Sequence, residues 1–235
     1  MGISTLVEKG SPNDDNLAIA LGGLTRGVIP LEMASAYGTF ANKGVHVKPV
    51  AITKILDRNG NVIEDESTAK PEETRVMSER EAYEMTTMLQ AVIESGTGTG
   101  AAIGRPAAGK TGTTDDNKDA WFVGYTPTIV TAVWIGDDTG AHSLGEVYGG
   151  TIPAQIWRDY MTKATEDESS ADFDVPSGMR RPSRAVETPR KETVEEKKPS
   201  TTEKKKKDEA TSDSDSKDSA ESARKEQAAK NNKEE

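Results

Sequence analysis

The chain has 235 residues, of which 33% are apolar and 30% charged, with a formal net charge of −10. It contains no cysteine, which excludes disulfides, thiol catalysis and Cys-based metal sites. Residues 1–165 hold 21 acidic and 14 basic side chains, a balance that gives no reason to expect nucleic-acid binding. The two histidines, His46 and His142, lack ligand spacing and read as surface residues, so no metal site is expected. No apolar run approaches the ~20 residues of a membrane helix. The first ten residues, M-G-I-S-T-L-V-E-K-G, have neither the basic start nor the long apolar core of a signal peptide.

In chain order, Pro30 to Lys43 predicts a helix, with Pro30 suited to its first position and Gly44 to its stop. Leu31, Ala34, Tyr37 and Ala41 would form its buried face. Val47 to Ile63 predicts a hairpin around Asn59-Gly60, a strong tight-turn signal. Glu64 to Arg75 is polar, contains Pro71 and reads as a loop. Ser78 and Glu81 form a capping box, opening a helix with Met85, Met88, Leu89, Val92 and Ile93 on one face and an end near Gly96. Gly96 to Gly104 reads as a flexible Gly/Thr-rich connection.

Three strands are then expected, Ala108 to Thr114, Ala120 to Tyr125 and Thr128 to Ile135, antiparallel because their connections are short. Val130, Val133, Trp134 and Ile135 give the last a buried look. Pro153 to Lys163 predicts a final helix packing through Ile156, Trp157 and Tyr160. Beyond Phe173 no aromatic occurs, and after about Val175 Pro, Ser, Lys and Glu dominate. Such a segment buries too little apolar surface to offset its ordering entropy. The expected division is therefore a folded domain over 1–165 and a disordered, charged tail over 166–235. The tail reads as a solvated segment or a weak polyelectrolyte contact with a cell envelope.

The segment with most chemistry is Gly109 to Tyr125, G-K-T-G-T-T-D-D-N-K-D-A-W-F-V-G-Y. A cation, a flexible backbone step and three hydroxyls in a short extended stretch suit gripping a carboxylate beside an acyl-transfer site. Gly104 to Thr111 also matches the phosphate-loop string G-x-x-x-x-G-K-[ST]. A phosphate loop needs an apolar strand before it and a helix starting at the Lys-Thr pair. Residues Thr97 to Ala102 and Gly112 to Asn117 suit neither, so a nucleotide-binding protein stands as the alternative, beside a non-catalytic envelope-binding module.

Four runs in order carry a resemblance: N-L-A-I-A-L-G-G at 16–23, V-I-P-L-E-M-A-S-A-Y-G-T-F-A-N-K-G at 28–44, G-K-T-G-T-T at 109–114 and D-A-W-F-V-G-Y-T-P at 119–127. Through them, residues 1–163 resemble the C-terminal part of the transpeptidase domain of class A (bifunctional) penicillin-binding proteins. The resemblance implies an α/β fold of the α+β type, a partial serine-transpeptidase domain of antiparallel sheet with covering helices. It implies a D-Ala-D-Ala transpeptidase acting on peptidoglycan stem peptides and acylated by β-lactams, with no cofactor. It implies a place on the extracytoplasmic face of the bacterial membrane, reached through an N-terminal anchor that this chain does not show.

By the same resemblance, Lys110 would carry protons and positive potential, and Thr111 and Thr113 would hold the substrate carboxylate. Gly112 would let the substrate backbone approach, and the Thr113 backbone N–H would be one oxyanion-hole donor. Thr114, Asp119 and Trp121 would support the strand. The family's nucleophile motif S-x-x-K and its S-x-N motif fall before the matched region. The strings Ser67–Lys70, Ser214–Lys217, Ser222–Lys225 and Ser11-Pro12-Asn13 lie in loop or tail and read as chance. The chain is therefore expected to be a fragment, inactive alone.

Overall fold

The computed structural model of the chain describes residues 1–182. Its centre is a three-stranded antiparallel sheet of β5 (Ala108–Thr113), β6 (Asp119–Tyr125) and β7 (Val130–Gly136), in that spatial order. Alternation along β6 sends Phe122 and Gly124 to one face and Val123 and Tyr125 to the other. On the first face lies α3 (Ile152–Ala164), whose Trp157 ring meets Phe122 edge-on at 5.2 Å and donates Nε1–H to the Gly124 carbonyl at 3.2 Å. On the second lie α1 (Pro30–Ala41) and α2 (Glu79–Glu94). There Tyr125 is fully buried, 2.8 Å from the Thr86 hydroxyl and edge-on to Tyr37. Burial raises the Tyr125 phenol well above its usual range, Thr86 pulling the other way. The mixed class and the antiparallel sheet with covering helices are as the sequence implies.

Each helix buries a stripe that overlaps only in part the one its bulky residues suggest, with Leu89, Ile93 and Trp157 buried as expected. In α1 the buried positions are Ala36 and Thr39, while Leu31 is 60% exposed. Small residues sit at the closest approach, and the large ones flank it. Ser78 and Glu81 do make the capping box of α2. Its buried stripe is Ala82, Tyr83, Thr86, Leu89 and Ile93, and Met88 lies outside it. In α3 the stripe is Pro153, Ala154, Trp157 and Met161, leaving Ile156 and Tyr160 exposed. The Ala-Trp-Met stripe keeps the helical repeat, and Ile156 and Tyr160, one position off it, stay exposed.

The hairpin around Asn59-Gly60 is present but short, pairing β2 (Lys54–Leu56) with β3 (Val62–Asp65). Gly60 takes φ +84°, and the Asp57 carboxylate accepts the Asn59 and Asn61 N–H groups at 2.7 and 2.8 Å. Val47, expected at the hairpin's start, belongs instead to β1 (Val45–Val47), which pairs with β4 (Glu73–Arg75). The polar stretch read as a loop thus supplies two strand segments. Glu73-Thr74-Arg75 is exposed throughout, so it pairs by backbone alone and shows no apolar alternation.

β7 is half-buried along most of its length, with Trp134 38% exposed, because it is an edge strand of this sheet. Gly96 to Gly104 is a compact turn rather than a loose connection. Thr99–Ala101 forms one 3₁₀ turn, and buried Gly98 lies where a Cβ would be 3.1 Å from the Phe122 ring. The packed part also continues past residue 165. Phe173 is buried edge-on to Tyr125, with Val175 and Met179 against the same cluster. Asp172 pairs with Arg181, and Asp174 with Lys43 at 2.7 Å. The rest of the expected tail, 183–235, lies outside the described residues.

Candidate active site

Lys110, Thr111, Gly112 and Thr113 all lie in β5, the other edge strand of the central sheet. The ladder runs Lys110 opposite Val123, Thr111 opposite Phe122, Gly112 opposite Trp121 and Thr113 opposite Ala120. Thr114 N–H donates to the Asp119 carbonyl at 3.1 Å, so the Thr114 N–H points toward β6 at the end of the ladder. In an antiparallel ladder such residues alternate with residues whose N–H and C=O point away. Counting back from Thr114, the N–H and C=O groups of Thr111 and Thr113 point away from β6. Among the described residues no strand pairs with that side.

The side chains are fixed from several directions. The Lys110 ammonium, on an exposed residue, donates to the Thr111 carbonyl at 3.0 Å. The Thr113 hydroxyl accepts the Gly149 N–H at 3.1 Å. The Thr111 hydroxyl lies 2.7 Å from that of Thr97, just beyond the end of α2. Gly149 sits over the strand so closely that a Cβ there would fall 2.6 Å from the Gly112 carbonyl oxygen and 2.3 Å from that of Trp121. No side chain fits at that position without moving the backbone.

Residues 114–119 make the turn that holds β5 to β6. The Thr114 hydroxyl accepts from the N–H groups of Lys118 and Asp119, and Asn117 takes φ +51°. Asn117 donates Nδ2–H to the Gly145 carbonyl and accepts the Leu144 N–H, both at 2.7 Å, tying the long β7–α3 connection to the turn. Asp119 accepts the Trp134 indole N–H at 2.9 Å, and the rings of Trp134 and Trp121 lie 6.2 Å apart. Thr114, Asp119 and Trp121 thus occupy supporting positions. Further along the connection, Asp137 accepts from Thr139 and from His142, which hold its carboxyl well below the usual range.

Sequence reasoning missed Thr97, Gly149 and Gly150. Thr97 sits within a Gly/Thr-rich run, and the glycine pair begins 37 residues beyond Gly112. A Gly-Gly pair directly before a helix start was the available signal.

The competing readings meet geometry here too. Lys110 and Thr111 lie inside a strand, and no helix starts at them, so the phosphate-loop arrangement is absent. Ser67 follows β3 in an exposed turn and bonds Asp65; it does not open a helix. Ser11 and Asn13 lie in an exposed loop, or half-exposed beside it. The strings at Ser214 and Ser222 lie outside the described residues. His46 is half-buried, 3.0 Å from the Ser35 hydroxyl, and His142 is exposed. Among the described residues no group of three His, Asp or Glu side chains could hold a metal ion, and no helix is long and apolar enough to cross a membrane.

A Lys-Thr-Gly-Thr strand at the open edge of an antiparallel sheet, between two helical layers, defines a transpeptidase-type α/β domain. Residues 7–162 match the family model of the penicillin binding protein transpeptidase domain. The chain belongs to this family.

It is 42% identical over 159 residues to penicillin-binding protein 1F of Bacillus subtilis, covering 65% of this chain and 22% of that protein. It is 44% identical over 169 residues to penicillin-binding protein 1A of Neisseria meningitidis, covering 70% and 21%. The chain therefore spans about a fifth of the length of these relatives. Among solved structures it is similar to penicillin-binding protein PonA1 of Mycobacterium tuberculosis, at TM-score 0.65 and 33% identity over 75% of this chain and 50% of that one. PonA1 has also been solved in complex with penicillin V, with the same TM-score.

Proposed function

We propose that this chain supplies the Lys-Thr-Gly wall of a D-Ala-D-Ala transpeptidase cleft in bacterial peptidoglycan synthesis, on the extracytoplasmic side of the membrane. The observation that carries it is the outward-facing backbone of Thr111 and Thr113 on an unpaired strand edge. An extended peptide or a β-lactam can lie along such an edge. The Thr111 and Thr113 hydroxyls then meet its carboxylate, and Gly112 leaves room for its backbone. Lys110 adds positive potential and a proton carrier, and the Thr113 N–H donates to the developing oxyanion.

In the complete reaction a serine hydroxyl adds to the carbonyl of the penultimate D-Ala, and the terminal D-Ala leaves as the protonated amine. An amine on a neighbouring strand then takes the acyl group and restores the serine. Losing one oxyanion donor raises such a barrier by about 3 kcal/mol. Among the described residues the one S-x-x-K string, Ser67–Lys70, lies in an exposed turn where Ser67 bonds Asp65 and opens no helix, so it does not supply that serine.

The 235-residue chain alone is therefore inert to penicillin. A fluorescent penicillin incubated with it gives no stoichiometric label on a denaturing gel, while a control penicillin-binding protein labels fully. Stoichiometric labelling, or a modified Ser67 by mass spectrometry, would overturn the assignment of inactivity.

A further inference from the structure

The two threonines that face the open edge are wired differently. Gly149 presents an N–H, which can only donate, so the Thr113 hydroxyl must accept there at 3.1 Å and its own proton stays available. The partner of Thr111 is another hydroxyl, that of Thr97 at 2.7 Å, and either can be the donor. If Thr111 donates, its only proton is spent and it has none for an anion. If Thr97 donates, the Thr111 proton is free.

We propose that Thr97 is a positioning residue which, by donating to Thr111, turns the Thr111 proton toward a carboxylate at the open edge of β5. The proposal rests on the carboxylate-gripping reading of Thr111 and Thr113. Donation from Thr97 also polarises the Thr111 hydroxyl, because hydrogen bonds in a chain strengthen one another by ~10–30%.

Thr97 is held for this by backbone packing rather than by its own side chain. A Cβ on Gly150 would fall 2.2 Å from the Thr97 carbonyl oxygen, and Gly98 N–H donates to the Val92 carbonyl at 2.9 Å. Glycines on both sides let the end of α2 and the start of α3 close on residue 97. Its hydroxyl is thereby fixed against β5 although the residue itself is exposed.

The test uses the full chain and two probes, a tripeptide ending in D-Ala-D-Ala and its C-terminal methyl ester, titrated into ¹⁵N-labelled protein. Wild type is expected to bind the acid at millimolar concentration, with the amides of Gly112 and Thr113 shifting, and the ester more weakly. Thr97→Val keeps the shape, removes the hydroxyl, and lowers affinity for the acid about fivefold, the worth of one hydrogen bond, with ester binding unchanged. Thr97→Ser restores acid binding. Structural damage would instead lower acid and ester alike.

Equal acid binding by Thr97→Val and wild type, with Thr111→Val impaired, would overturn the role of Thr97 and leave the grip intact. An equal loss of acid and ester binding in Thr97→Val would also overturn it. Absence of any shift at Gly112 and Thr113 in wild type would overturn the grip and the relay together. Should Thr97→Val not fold, Thr97→Ala against Thr97→Ser makes the same comparison.

Discussion

The central sheet and the β2–β3 hairpin are both antiparallel, yet they are held in opposite ways. In the sheet and the helix against it, Phe122, Tyr125, Trp157 and Met161 are essentially without exposed surface. In the hairpin region Ile52 and Ile63 are 65% and 67% exposed, and no residue of β2 or β3 is buried. The N-terminal segment resembles the hairpin, with Leu17 and Leu21 above 90% exposed. What fixes it is polar. The buried Asp14 carboxylate accepts the Val7 and Thr25 N–H groups, both at 2.7 Å, and Ser4 bonds Glu32. Stability is thus concentrated in the layers around β6, and the segment before α1 is attached by hydrogen bonds that water can compete for.

The sharpest way to break this contrast is at its strongest point. Trp157→Ala removes the side chain on which α3 meets the sheet, together with its hydrogen bond to the Gly124 carbonyl. A loss of about 3–5 kcal/mol is expected in urea unfolding. A loss below about 1 kcal/mol would mean that the sheet is not the stabilising centre. On the opposite face, Tyr125→Phe keeps the ring among Tyr37 and Phe173 and deletes only the hydroxyl. Thr86 still donates to the Ala82 carbonyl at 2.9 Å, so no donor is stranded and the expected cost is about 1 kcal/mol.

The contrast also explains what could be read from the sequence. The strands of the sheet, the capping box of α2 and the Asn59-Gly60 turn rest on local signals of period, cap or turn chemistry, and those were legible. The Lys-Thr-Gly strand was legible by its letters, and its antiparallel pairing with β6 by their short connection. Three things were not. The buried stripes of α1 and α3 depend on which small residue meets the sheet, and Ala36 and Ala154 carry no bulk to announce it. β4 pairs with β1 across 25 intervening residues without an apolar pattern. The contacts of Thr97 and Gly149 with the active strand are made by residues 14 and 36 positions away, through backbone approach that no periodicity encodes.

Acid separates the two regions without mutation. The N–H groups of Val7 and then Thr25 hold Asp14 below the ordinary carboxylate range. A depressed carboxylate stabilises the folded form above its unfolded value, about pH 3.9, and that contribution is lost as pH falls toward the folded value. Below about pH 4, hydrogen exchange at the Val7 and Thr25 amides is therefore expected to accelerate before that of Phe122 or Val123. Simultaneous loss of protection would show the N-terminal segment and the sheet to be one cooperative unit.

The smallest effect belongs to the hairpin. Ile63 has the size of a core residue and the strand propensity of one, so composition alone would assign it a large cost on truncation. Its 67% exposure says otherwise, since little apolar area leaves water there on folding. Ile63→Ser is expected to change the stability of the chain by less than about 0.5 kcal/mol in urea unfolding. The register of β2 and β3 should survive, because it is set by Asp57, Gly60 and the Lys54–Asp65 pair at 2.8 Å rather than by the isoleucine. A cost of 2 kcal/mol or more, the scale of a buried aliphatic side chain, would mean that the hairpin is covered in the folded protein in solution and that the division between the two regions is wrong.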